Sequence, residues 1–275
     1  MVDSPASYPF KGIKFFFSHW TLIRRILLAF FLTLIVSIVV IGLTFGFLFA
    51  LQVALFTAMF IPPPFSIILA VIACVLEAAI FIIIFNLIAT PFWQDALYDD
   101  VLKLRGLESL LDGPNNISEA TLFCRGIKSG LELIVLQIIT LIILLPINSI
   151  PFIGTIAYCY INGWPLAWSQ QIHYQIDIKG LSVKEARHLA WKDRKDYTRF
   201  GAMCVFLQLF PGLNLLFIWT NVVGAALWTS DIIIEERKRT DEVERSVPYQ
   251  ASESMESSAI TTTATKNYGA TDNNA

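Results

Sequence analysis

The sequence predicts an all-α membrane protein: one long transmembrane helical hairpin, two shorter proline-broken helical hairpins and a cytosolic amphipathic helix. Three observations carry this. The chain of 275 residues is 55% hydrophobic and only 15% charged, against about 25% charged in a soluble globular protein. Its charges are excluded from three blocks: only Glu77 lies between Arg25 and Asp95, only Glu132 between Lys128 and Asp177, and none between Arg199 and Asp231. Prolines punctuate these blocks near their middles, at Pro62–Pro64, at Pro146 and Pro151, and at Pro211. Three charge-poor stretches of this length cannot all be cores of a soluble domain.

Residues 1–25 form an N-terminal segment at the cytosolic face, with four basic side chains against Asp3. The apolar region that follows is far longer than the roughly 7–15 residues of a signal peptide, so it is expected to stay as an anchor. The polytopic helical membrane domain spans 26–235, with hairpins at about 26–90, 131–169 and 200–230. The first hairpin comprises an apolar run from Ile26 to Ile61, the triple proline, and a run from Phe65 to Thr90 that stops at Pro91. As helices these runs are about 54 and 39 Å long, against a hydrocarbon core of about 30 Å, so they span with tilt or extend beyond the bilayer.

The second hairpin rises from Leu131 to Leu145, breaks at "PINSIP" and returns from Phe152 to Ser169. Proline removes a backbone donor and clashes with the preceding turn, so the helix is expected to stop at Pro146. At about 22 Å the rising arm is short for a crossing, which predicts a segment that enters the membrane and returns. Asn148 and Ser149 can bond the backbone groups the break leaves open. The third hairpin repeats the plan: 200–210, a break at "PGLN" with Pro211 and Asn214, and a return over Leu215–Ser230. Asn162 and Asn221 each follow a tip by about ten residues, and Trp168 and Trp228 close the arms, as interfacial tryptophans do.

Between these two hairpins, "GLSVKEARHLAWKDRKDYTRFG" opens with a capping box, Ser182 and Glu185. Val183, Ala186, Ala190 and Tyr197 fall on one side, which reads as a helix lying on the membrane surface or as a solvated connector. The segment 91–130 reads as a polar linker with a turn at "DGPNN". Residues 236–275, rich in Ser, Thr, Asn and Glu, cannot bury a core and are expected to be a disordered cytosolic tail. Lys and Arg occupy every polar segment and no hairpin tip, which places both termini and all polar segments in the cytosol. The sequon at Asn116 is then never glycosylated.

The four cysteines form no close pair and read as small buried hydrophobes. No catalytic, cofactor or metal motif is present: there is no "HExxH", "GxSxG", Walker loop or "GxGxxG". A non-enzymatic protein is expected, with no catalytic, cofactor-binding or metal residues and no cofactor. His19, His173 and His188 fall in charged or interfacial segments and are assigned structural or surface roles. No basic stripe accompanies a recognition motif, so no nucleic acid is expected as a partner. Membrane lipids are the expected partners, and a homo-oligomer if the chain forms a permeation path.

The candidate intramembrane polar and helix-break residues are Glu77, Gln52, Asn148, Asn162, Pro146, Pro151, Pro211, Asn214 and Asn221. An intramembrane carboxylate costs about 2.5–3.5 kcal/mol on insertion scales. Glu77 should therefore be protonated or paired, and Gln52 lies at a similar depth on the antiparallel helix. A helix–helix clasp and a proton or substrate role are the two readings. The asparagines either satisfy the broken backbone or line an anion path at discontinuous helices; the absence of Lys and Arg from the apolar segments weighs against a dedicated anion site.

"YPFKGIKFFFSHW", "LLPINSIPFIGTIAYCYINGWPLAWSQQIHY" and "RKDYTRFGAMCVFLQLFPGLNLLFIWTNVVGAALWTSD" together resemble the etoposide-induced-protein/CysZ-like family over roughly residues 8–235. Phe200-Gly201, Pro211, Asn214 and Gly224-Ala225 match its pattern, whereas the first two helices match in hydropathy alone. The "YPFKG" start and "GAALW" ending resemble the fungal branch, which includes outer-spore-wall proteins associated with lipid droplets. The resemblance implies a protein of the endoplasmic reticulum and lipid droplets supporting spore-wall or lipid-store assembly. The alternative it implies is a sulfate-type anion permease like bacterial CysZ. Family likeness by itself does not choose between them.

Overall fold

The computed structural model describes residues 3–112, 117–147, 150 and 152–267. Among them there is no strand. Nine α-helices follow in order: α1 (Tyr8–Ser18), α2 (Trp20–Leu43), α3 (Phe49–Ala58), α4 (Pro63–Leu104), α5 (Glu119–Ile147), α6 (Ile153–His173), α7 (Val183–Lys192), α8 (Arg194–Gln208) and α9 (Asn214–Asn267). A π-helical turn over Thr44–Leu48 joins α2 to α3, so Trp20–Ala58 runs as one rod. The chain forms two bodies, Asp3–Trp228 and a C-terminal one that begins at Thr229.

Among the described residues four helices are long and apolar enough to cross a membrane: Trp20–Ala58, Pro63–Leu104, Ala120–Leu144 and Asn214–Arg245. α6 and α8 are not among them. In the first two rods, few residues of the most apolar window are buried, 6% and 17%, and Ile38, Phe47, Leu55, Ile83 and Leu87 stand out from the surface. Apolar side chains with no protein partner over such lengths need lipid around them. The chain is a helical membrane protein.

The two rods pack antiparallel about the triple proline. Cys74 Sγ donates to Gln52 Oε1 at 3.2 Å, and Arg25 reaches Asp100 through two hydrogen bonds of 2.7 Å. Met59 and Phe60 make the reversal; Phe60 adopts φ +64°, a left-handed conformation that is strained for an aromatic residue.

Two expected boundaries shift. The second apolar run does not stop at Pro91: α4 passes through it to Leu104. One lost hydrogen bond is outweighed by what lies beyond, where Leu97, Tyr98, Val101 and Leu102 are almost fully buried. α5 likewise includes Pro146, within Glu119–Ile147. It also begins at Glu119, inside the expected linker, because helical structure does not start at the first apolar residue. The rising arm is therefore about 43 Å long over its 29 residues, not the short segment that hydropathy alone suggested. α9 spans Asn214–Asn267. Over 236–245 it interleaves acidic and basic residues, a pattern that supports a solvated helix.

The core forms where α6, α8, α1 and the part of α9 up to Trp228 meet. At the α6–α8 crossing, a Cβ on Gly201 would lie 1.7 Å from Gly163 O, and one on Gly163 2.6 Å from Ala202 N. The two backbones touch, as small residues permit between membrane helices. Gly12 of α1 meets α9 in the same way, 2.4 Å from Thr220 O. Tyr197, Phe200 and Tyr8 surround Trp228 with ring centroids 5.3, 5.3 and 6.5 Å away.

Candidate functional site: an amide-lined cleft and a carboxylate–histidine clasp

The arms of the two proline-broken segments enclose a cleft of about 420 Å³. Its polar lining consists of Gln137 from α5, Tyr158, Asn162 and Ser169 from α6, Gln208 from α8 and Asn214 from α9. The α6 residues recur at helical spacing, so one face of α6 supplies the floor. Gln137 Nε2 donates to Asn162 Oδ1 at 3.2 Å, and Asn162 Nδ2 donates to Tyr158 O at 3.0 Å. Ser169 Oγ donates to Leu166 O. The remaining walls are apolar, among them Leu133, Leu166 and Val205. Among the described residues no charged side chain lines the cleft.

Two of the sequence-predicted residues thus come together here, Asn162 and Asn214. Asn214 Oδ1 accepts from Leu215 N at 2.8 Å, holding the first turn of α9. Asn221 lies elsewhere: it is fully buried and its Nδ2 donates to Cys204 O at 3.3 Å, tying α9 to α8. Pro211 lies in the turn between α8 and α9, where Gly212 takes φ +80°. The break expected at "PGLN" is therefore present. Asn148, Ser149, Pro151 and Asn116 lie outside the described residues. Pro146 is the penultimate residue of α5.

Gln52 and Glu77 do not form the expected pair. Gln52 Oε1 instead takes Cys74, one helical turn before Glu77. Glu77 is half-buried, and its Oε2 is shielded without a hydrogen-bond partner. Cys74, Cys159 and Cys204 are buried and unpaired, as expected, while Cys124 is exposed.

The densest charge cluster is one that the sequence reading passed over. His173, at the end of α6 beyond the apolar stretch, is 15% exposed at its side chain. Its Nε2 meets Asp99 Oδ1 at 2.8 Å, and its Nδ1 meets Asp177 Oδ2 at 3.0 Å and Asp95 Oδ1 at 3.7 Å. Burial disfavours the imidazolium. Hydrogen bonds to Asp177 and Asp99 and the charges of Asp95 and Asp99 outweigh that effect and raise its pKa to about 10. His173 is therefore a cation at neutral pH. Donor atoms of Asp95, His173 and Asp177 lie within 4.8 Å of one another, close enough to hold a metal; the ion pairs with the imidazolium already account for the arrangement. Beside the cluster, Tyr98 donates to Gln171 at 3.1 Å, and Gln171 Nε2 donates to Ala225 O at 3.3 Å.

A signal for this clasp exists in the chain. Asp95 and Asp99 are four residues apart just after one apolar block, and His173 and Asp177 are four apart just after another. Each pair shares a helix face at a similar distance from the lipid. The clasp has counterparts nearby. Arg25 of α2 binds Asp100 of α4, Arg187 of α7 binds Glu132 of α5 at 3.1 Å, and Arg125 of α5 donates to Gly180 O at 2.8 Å. Charged side chains thus link α2 to α4, α4 to α6, and α5 to α7.

Residues 8–218 match the model of the sulfate transporter CysZ/etoposide-induced protein 2.4 family. The chain belongs to this family. A stretch of 62 residues is also 32% identical to the outer spore wall protein RRT8 of Saccharomyces cerevisiae, covering 22% of this chain and 18% of that protein. The chain therefore matches under a fifth of that relative's length. Gly201 and Gly224, which matched the family pattern in the sequence, are the glycines whose backbones touch Gly163 and Tyr8.

Proposed function

We propose that this chain is a non-enzymatic membrane protein of the endoplasmic reticulum and lipid-droplet system that supports spore-wall or lipid-store assembly. The observation that carries this reading is the contrast between the two ends of the helices. At one end, charged residues pair with each other. At the other, the turns expose apolar side chains: Met59 at 62%, Phe60 at 97%, Phe152 at 84%, and Phe210 and Leu213 at about half. A turn facing water would carry polar residues; these suit hydrocarbon. A protein whose far-side turns carry no charged residue can pass from a bilayer to a droplet monolayer without moving a charge through lipid. The short match to an outer spore wall protein points in the same direction.

The test is imaging of the tagged full chain with a droplet dye before and after oleate loading. Decoration of droplets is expected. A signal confined to bilayer membranes under loading would overturn the reading. In the same topology, membrane-impermeant labelling of cysteines placed at Lys179 and Lys195 should succeed from the cytosol and fail from the lumen.

One observation favours a second reading, a permease for a small anion: the amide-lined cleft lies between helices and holds hydrogen-bond donors. Proteoliposomes containing the chain would take up sulfate if this reading is right. Uptake no faster than in empty liposomes across pH 5–8 would dismiss it.

A further inference from the structure

α7 is fixed to the rest of the protein at one particular depth. Arg187 pairs with Glu132 of α5 at 3.1 Å, and Glu132 is the last charged residue before the uncharged run that α5 carries to Ile147. α7 therefore lies where polar headgroups give way to hydrocarbon. Its inner face is held by buried Val183, Ala186 and Ala190. Its outer face carries Lys184, Arg187, His188 and Trp191, at i, i+3, i+4 and i+7. Together with Trp164 of α6 these four line a concavity of about 460 Å³.

The walls are fixed by specific contacts. Trp164 Nε1 donates to Ala190 O at 2.9 Å, and the Trp164 and Trp191 rings meet edge-on with centroids 5.4 Å apart. The Arg194 guanidinium lies 5.6 Å over the Trp191 ring. The capping box places Glu185 on Ser182, with Ser182 N donating to Glu185 Oε2 at 2.8 Å. The acidic residue of this helix is thus engaged at its N-terminus, and among the described residues no acidic side chain lines the concavity.

We propose that this concavity binds the phosphate of an anionic phospholipid headgroup. Lys184 supplies a point charge, and Arg187 has N–H groups beyond the one given to Glu132. His188 adds a ring N–H, and the two indoles cover the glycerol and upper acyl chain as interfacial tryptophans do. Amides and hydroxyls line the intramembrane cleft without charge; cations line this site. The two sites therefore suit different chemistry, and this inference does not depend on the droplet or the permease reading.

The experiment uses the full chain in neutral detergent, titrated with dioctanoyl phosphatidic acid, dioctanoyl phosphatidylcholine or inorganic phosphate while thermal unfolding is followed. Phosphatidic acid is expected to raise Tm saturably, and the other two are expected to leave it where it was. The paired variant K184Q/H188Q should unfold at the wild-type temperature without lipid, because both side chains are exposed. It should bind phosphatidic acid about five- to tenfold more weakly, as expected for loss of a cationic contact at a lipid surface. Trp191→Ala should also weaken binding. An equal shift with phosphatidylcholine would show that charge is not read, and an equal shift with inorganic phosphate would assign the site to the free anion; either overturns the proposal. So does wild-type affinity in K184Q/H188Q.

Discussion

At the α6–α8 crossing, Gly201 leaves no space for a methyl group, since its Cβ would sit on the Gly163 carbonyl. Gly201→Ala must push two backbones apart. A loss of about 3 kcal/mol or more is expected, at the upper end of overpacking costs, read as a lowered Tm in detergent. Gly42, which has open space around it, is the control, and Gly42→Ala should leave Tm unchanged or higher. His173 makes a second prediction at this scale. Its folded pKa, near 10, lies above the usual 6.5, so the folded state binds the proton more tightly than the unfolded chain. The clasp's contribution is complete below about pH 6.5 and disappears as pH rises through about 10. The Tm gap between wild type and His173→Gln should be wide at pH 6 and close by pH 10.5. A gap independent of pH would refute the charged clasp.

Between elements, the membrane helices are joined by polar contacts at two levels. Near the charged ends, Arg25 and Asp100 join α2 to α4, and Asp100 is the more buried of the two. Arg25→Met leaves a nearly buried carboxylate without its cation. It is expected to cost about 3 kcal/mol, the lower part of the range for breaking a buried pair because Arg25 is partly exposed. Arg25→Met/Asp100→Leu should recover most of that. Deeper in, the Gln137–Asn162 hydrogen bond joins α5 to α6. Such bonds in membranes average about 0.6 kcal/mol, so Gln137→Leu should change stability by less than about 1 kcal/mol. If the cleft conducts an anion, the same variant would reduce sulfate uptake while leaving Tm almost unchanged.

For the molecule as a whole, lipid contact is set by the two long rods. Ile38 and Ile83 are 61% and 64% exposed on helices that bury almost none of their most apolar windows. Ile38→Lys is expected to cost about 2.5–3.5 kcal/mol of membrane insertion and to lower the membrane-integrated fraction after carbonate extraction. Lys195→Ile, in the exposed first turn of α8, should leave that fraction intact.

Charge exclusion and proline punctuation were enough to establish an all-α membrane protein, because the cost of placing charge in hydrocarbon is written residue by residue. Local motifs likewise placed the break at Pro211 and the Ser182–Glu185 capping box, which depend on neighbours a few positions away. Helix ends were a different matter. α4 overrides Pro91 because Leu97, Tyr98 and Val101 find partners distant in the chain, and local propensity carries no record of that burial. The same reason hid the His173 clasp and the meeting of Asn162 with Asn214: each joins residues tens of positions apart, and only the packing of α4, α5, α6, α8 and α9 decides which polar side chains share a space.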